Sequence, residues 1–184
     1  MDIKKNTLKE RKGGILRKYI NCLIFGLIIG LFNFNAFAFE LASEFVDSEY
    51  GYSIKYPLDW YSKINRSGMV LADINTKDNK SGLQIRVTQS NQSIDDYVLR
   101  YIDKFKQDMQ AQLTNQEYML IDNKKAYKIS FQANRRGKDY LLLSYIMADD
   151  QTARVFIFQA GVLYDQRYEI IPVLDAIAGS FELK

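Results

Sequence analysis

Beyond residue 38 the chain alternates between two hydrophobic periods, one of two residues and one of three to four. The run Tyr52-Ser53-Ile54-Lys55-Tyr56 repeats every second residue, the period of a half-buried strand, and Pro57 stops it because proline cannot donate to a ladder. With Phe45-Val46 before it and Glu49-Tyr50-Gly51 at the turn, this predicts a first hairpin. Trp60–Ile64 and Met69–Ile74 form the next predicted pair, followed by a polar loop, Asn75–Gly82, and a strand, Leu83–Thr88. From Ser93 to Leu113 the period lengthens. Ile94, Tyr97, Val98, Tyr101, Ile102, Phe105, Met109 and Leu113 fall at three- and four-residue steps and make one apolar helical face. Ser93 and Asp96 have the spacing of a capping box at its start.

The period of two then returns. Strands are predicted over Tyr118–Ile121, Ala126–Ala133, Tyr140–Ala148 and Arg154–Ala160, separated by Asp122–Lys124, Asn134–Lys138 and Asp149–Gln151. The last two carry Leu141-Leu142-Leu143 and Val155-Phe156-Ile157-Phe158, apolar on both faces, which predicts central strands covered on both sides. Tyr164–Gly179 predicts a closing helix that covers the sheet through Ile171, Leu174 and Ile177. Pro172 predicts a kink or a late start. Strands, a helix, a meander and a final helix, joined by hairpin-length turns, make an α+β fold with a mostly antiparallel sheet.

Charge separates the first residues from the rest. The formal net charge is +3, but seven of the 25 basic residues and two of the 22 acidic ones precede residue 20. That leaves 18 basic against 20 acidic residues in the remainder, so the basic excess is no argument for nucleic acid. The first segment has the three parts export requires: a positive stretch ending at Lys18, an apolar run Ile20–Phe34, and Ala36-Phe37-Ala38. Residues 1–38 therefore predict a signal peptide with Ala36 and Ala38 as the signal-peptidase recognition pair, and residues 39–184 a single domain beginning at Phe39. The alternative is an uncleaved N-terminal anchor, which also leaves the domain on the far side of the membrane.

The chain has no histidine, and its single cysteine, Cys22, lies at the near end of the apolar run, the wrong end for lipid attachment. Histidine-based triads, thiol nucleophiles and Cys/His zinc sites are thereby excluded from the domain. No glycine-rich phosphate loop is present. Asp73-Ile74-Asn75-Thr76-Lys77-Asp78-Asn79 starts like a calcium loop, but Lys77 stands where a third oxygen is wanted and no closing glutamate follows. Asp149-Asp150 reads as a turn. The aromatics, among them 13 tyrosines and 11 phenylalanines in the whole chain, fall mostly on predicted apolar faces. Tyr61, Tyr140 and Tyr145 are the ones whose facing the pattern leaves open. The basic turn Arg135-Arg136-Gly137-Lys138 reads as a solvated hairpin tip. The expectation is no catalytic residue, no metal ligand and no cofactor.

The stretch Tyr50-Gly51-Tyr52-Ser53-Ile54-Lys55-Tyr56-Pro57-Leu58-Asp59-Trp60, an aromatic strand running into a proline with a tryptophan close behind, resembles the opening signature of the PsbP-like family. Ser93-Ile94-Asp95-Asp96-Tyr97, Lys125-Ala126-Tyr127 and Ile177-Ala178-Gly179-Ser180-Phe181 fit the same layout, so the resemblance runs over residues 43–183. It implies a mostly antiparallel sheet sandwiched between helices, an α/β/α sandwich, in a periplasm or lumen. The namesake is an extrinsic subunit of the oxygen-evolving complex of photosystem II that helps retain calcium and chloride. Histidine metal ligands described in plant members have no counterpart here, because the chain has no histidine. The expectation is an exported, non-catalytic accessory or binding protein with a protein partner, such as a membrane complex on which it sits as an extrinsic subunit. The alternatives are a small-molecule or calcium-binding module and a carboxylate-based enzyme.

Overall fold

The period-two segments become ten strands and the two longer periods become two helices; the computed structural model describes residues 40–184. The predicted signal peptide, with Ala36 and Ala38, lies outside the described residues. The strands are β1 (Ser43–Asp47), β2 (Tyr52–Tyr56), β3 (Trp60–Ile64), β4 (Val70–Thr76), β5 (Gly82–Gln89), β6 (Gln112–Ile121), β7 (Lys124–Arg135), β8 (Lys138–Asp149), β9 (Arg154–Leu163) and β10 (Glu182–Leu183). Helix α1 spans Ile94–Met109, and helix α2 spans Arg167–Gly179 behind a 3-10 turn, Tyr164–Gln166. β3 to β9 build one seven-stranded sheet in the order β3-β4-β5-β9-β8-β7-β6, antiparallel at every pairing. β9 is its middle strand, and β8 stands beside it.

The first hairpin is not part of that sheet. β1 and β2 form a separate three-stranded sheet, completed by β10 from the other end of the domain. Its turn is held by Gly51, at φ +66°, and by Asp47, whose carboxylate accepts from the amides of Glu49 and Tyr50 and pairs with Arg66 at 2.8 Å.

The two faces of the large sheet are covered differently. On one, α2 and the small sheet enclose a core built around Tyr52, Phe156, Phe158 and Phe181, all fully buried, with Phe181 stacked on Tyr52 at 5.1 Å between ring centroids. On the other, α1 lies mainly over β6, β7 and β8, packing Val98 and Ile102 against Ile129, Phe131 and Ile146 in a cluster that also takes in Val155 and Ile157 of β9. The expected sandwich of helices is therefore corrected to a sheet-dominated fold. A single helix covers part of one face, and the other face is closed as much by strands as by α2. The expectation that β8 and β9 are covered on both sides holds for β8 and for β9 as far as Ile157; on the α1 side the cover opens at Gln159 and Gly161.

Local differences have plain causes. α1 ends at Met109 rather than Leu113, because Gln110 turns left-handed at φ +46° and β6 begins at Gln112. Ser93 caps α1 by accepting from the amide of Asp96 at 3.1 Å, while its hydroxyl donates to the Asp96 carboxylate at 2.8 Å. The β6–β7 and β7–β8 turns tighten to two residues, Asp122-Asn123 and Arg136-Gly137, all at positive φ as short hairpins require. Pro172 lies inside α2 rather than at its start and withholds a hydrogen bond from the carbonyl of Tyr168. At the β4–β5 turn a Cβ on Gly82 would come within 2.8 Å of the main-chain carbonyl oxygen of Ile74, so only glycine fits without a shift of the backbone.

Candidate functional site

Because α1 covers β9 only in part, a groove of about 570 Å3 remains between the helix and β5, β8 and β9 of the sheet. The helical period supplies one wall. Tyr97, Tyr101 and Phe105 stand one turn apart with ring centroids 6.5 and 5.4 Å from each other, and Phe105 stacks on Phe131 at 4.5 Å. The floor comes from the strand residues pointing to this face: Gln84 and Arg86 on β5, Ile157, Gln159 and Gly161 on β9, and Leu142 on β8. At the rim Lys104 pairs with Asp108 one turn on, at 3.2 Å.

A chain of hydrogen bonds joins wall and floor. An Nη of Arg86 donates to Gln159 Oε1 at 2.8 Å, Gln159 Nε2 donates to the Tyr101 hydroxyl at 2.7 Å, and that hydroxyl meets Ser144 Oγ at 2.7 Å. Farther along the floor Gln84 donates to Asp73 at 3.0 Å, and Asn65 to the other oxygen of the same carboxylate at 2.8 Å. Burial pushes the Tyr101 phenol above its ordinary pKa, with its bonds to Ser144 and Gln159 pulling the other way, and burial raises Tyr97 likewise. Both phenols are therefore neutral near pH 7. They offer hydrogen bonds rather than a base, and Ser144 has a neutral phenol, not a base, beside it. The arrangement can hold a molecule by one cation, amides and aromatic faces.

A second surface lies where β9 runs into α2. The guanidinium of Arg167 sits between two tyrosines, 3.9 Å from the ring centre of Tyr164 and 4.1 Å from that of Tyr168, and donates to the Tyr168 hydroxyl at 2.7 Å and to the Tyr164 carbonyl. Tyr168 is 76% exposed and Tyr164 39%. The β7–β8 hairpin adjoins this corner, since Tyr140 pairs with Leu163.

Of the residues singled out from sequence, Asp73 and Asp78 are not brought together. Asp73 sits in β4, outside the groove lining, and is held by Gln84 and Asn65. Asp78 binds the Thr76 hydroxyl at 2.7 Å and the Lys80 amide at 3.1 Å, which hold its carboxyl down to a pKa of about 2. Asp149 closes its own turn through Thr152, with Lys124 at 3.6 Å. Among the described residues no three acidic side chains converge on a point that could hold a metal. Tyr61 is half-buried and donates to Asn79, and Tyr140 is half-buried. Tyr145 is not spare at all: it is fully buried beneath α2 and donates to Asp175 at 2.7 Å, and burial together with that carboxylate drives its pKa far up. Arg135 is not merely solvated, because it donates to the Met109 carbonyl at the C-terminus of α1, where a cation is favoured. Sequence reasoning missed Arg86, Gln159 and Arg167. The groove pair looks like ordinary polar alternation, and only the 73-residue separation between Arg86 and Gln159 hides that they touch.

The family model for PsbP matches residues 40–183. The chain belongs to the PsbP family. No curated protein matches it. Among solved structures it is similar to cyanobacterial PsbP from Synechocystis sp. PCC 6803, at 16% identity and a TM-score of 0.59, covering 77% of this chain and 92% of that one. LpqN, involved in cell envelope biogenesis of Mycobacterium tuberculosis, matches at 13% identity and a TM-score of 0.53, over 77% of this chain and 84% of that one. The Saccharomyces cerevisiae Ran-binding protein Mog1p matches at 7% and 0.54, over 77% and 94%. At these identities the likeness is one of fold.

Proposed function

We propose that this PsbP-family chain is an exported, non-catalytic accessory protein that works by holding a protein partner, with the Tyr164–Arg167–Tyr168 corner as the centre of contact. The carrying observation is the exposed stack itself. Two tyrosines and an arginine are the residue types that dominate interface energetics. Here they are locked against one another before any partner arrives, so less side-chain freedom is lost on binding. The family supports the reading: cyanobacterial PsbP shares the fold, and Mog1p, which shares it too, is a Ran-binding protein. Export is supported by the Ala36-Phe37-Ala38 pattern after the apolar run. No helix among the described residues is long and apolar enough to cross a membrane.

A photo-crosslinking amino acid placed in the native host at Tyr168, and separately at Leu99 on α1 (60% exposed), tests the contact. Position 168 should yield one discrete protein adduct that disappears with Arg167→Ala, and position 99 none. Equal adducts at both positions, or none at 168, would remove the corner from the proposal. Sequencing of the mature N-terminus should begin at Phe39; an intact Met1 would restore the anchor.

A further inference from the structure

The groove beside α1 has a chemistry of its own, separate from the tyrosine–arginine corner. Arg86 rises from its floor half-buried, and among the described residues no carboxylate lies within 4.0 Å of it. Its single protein partner among the described residues is the neutral amide oxygen of Gln159, and its Nε is closed off from solvent with no acceptor. A partly desolvated guanidinium with an unmet hydrogen bond and no counter-charge is an unfavourable arrangement in an empty site. An anion in the groove supplies the missing counter-charge. Such a site is distinct from the polar faces elsewhere on the sheet: Arg66, Lys124, Lys125 and Lys128 all have acidic partners.

We infer that the groove binds a small organic carboxylate carried on a flat apolar body, with Arg86 as the anion anchor and Tyr97, Tyr101 and Phe105 as the wall on which the body lies. Size and lining define the class. About 570 Å3 falls within the range of small-molecule sites, and three aromatic side chains with Leu142 and Ile157 in the lining suit a planar apolar group. Charge narrows it further. One guanidinium stands on the floor, while the nearest second cation in the lining, Lys104, is engaged with Asp108 at the rim. A single positive charge matches a monoanion; a phosphate dianion calls for more donors and more charge than the groove supplies. The planar fork of arginine also fits a carboxylate edge to edge. The Tyr101 phenol, kept neutral by burial, and the Gln159 amide add neutral polar contacts that orient rather than react.

The probes are naphthalene-1-acetate and its neutral analogue naphthalene-1-acetamide, equal in shape and different in charge. With the residue 39–184 protein, and with the full-length chain if cleavage is not found, millimolar acetate should raise the melting temperature and shift the amide resonances of β5 and β9 by NMR, since a ligand that prefers the folded state stabilises it. The acetamide should bind at least about tenfold more weakly, the scale of one charge-assisted hydrogen bond. Arg86→Gln should remove that difference between the two probes. Gly161→Leu supplies a variant that leaves Arg86 alone: a Cβ there meets only Leu142 Cδ2, at 3.6 Å, so the side chain enters the groove and should block both probes. Equal affinity for acetate and acetamide, unchanged acetate binding in Gly161→Leu, or no binding of either probe at millimolar concentration would each overturn the assignment. The crosslinking result at Tyr168 is independent of all of these.

Discussion

β9 shows both faces of the large sheet in one strand. Phe156, Phe158 and Ala160 point to the side sealed by α2 and the small sheet; Ile157, Gln159 and Gly161 point to the side α1 leaves half open. On the sealed side Tyr145 is tied to Asp175, and Asp175 to Lys128 at 2.7 Å. On the open side a neutral network runs from Arg86 through Gln159 and Tyr101 to Ser144, and it stops at a cation without an anion. Both faces carry a buried apolar core, but only the α1 side leaves a groove in which side chains can present chemistry. The same seven strands serve both because side chains alternate.

The largest effect should come from breaking the sealed side. Phe156→Ala removes a fully buried ring packed 5.0 Å from Phe181 and should cost about 3–5 kcal/mol in denaturant melts. A loss below about 1 kcal/mol would mean that face is not closed. A matched pair sharpens the contrast. Tyr145→Phe deletes a buried hydrogen bond to a carboxylate and should cost about 1.5–3 kcal/mol; Tyr101→Phe deletes neutral bonds beside an open groove and should cost about 0.5–1.5 kcal/mol. Equal losses would make the groove as dry as the core. Asp78, in an exposed turn that belongs to neither face, sets the bottom of the scale. Its folded pKa lies below the ordinary value of 3.8, so its small contribution is complete above that value and is lost as the pH falls through about 2. An NMR titration of its carboxyl should find the midpoint near 2, and Asp78→Asn should bring no further loss below it.

The strands and helices were legible where one face is apolar and the other polar. β2, β7 and α1 announce themselves in this way, and the αL end of α1 moved only the boundary. β6 was half hidden: from Thr114 to Tyr118 every residue of this edge strand is exposed, so no alternation marks its start at Gln112. The split into two sheets was invisible, since β2 pairs with β10 through contacts between distant positions. The groove was invisible for a related reason. Tyr97, Tyr101 and Phe105 satisfy a core pattern, and nothing local says that the helix carrying them leaves part of the sheet open. Arg167 between its tyrosines is a matter of side-chain rotamers, which spacing does not encode.

The junction of the first hairpin with the last strand has a consequence for how the domain is made. Ser180 accepts from the amide of Lys55, 125 positions away, and Lys184 donates to the carbonyl of Gly51 at 2.8 Å, while Phe181 fills the space between Tyr52, Phe156 and Phe158. The keystone of the aromatic core therefore arrives last. Until residues near 181 are available, the early hairpin has neither its third strand nor the ring it packs against, and closing so long a loop is slow. A domain arranged in this way leaves its first hairpin without a third strand until residues near 181 are made, and only then closes its aromatic core.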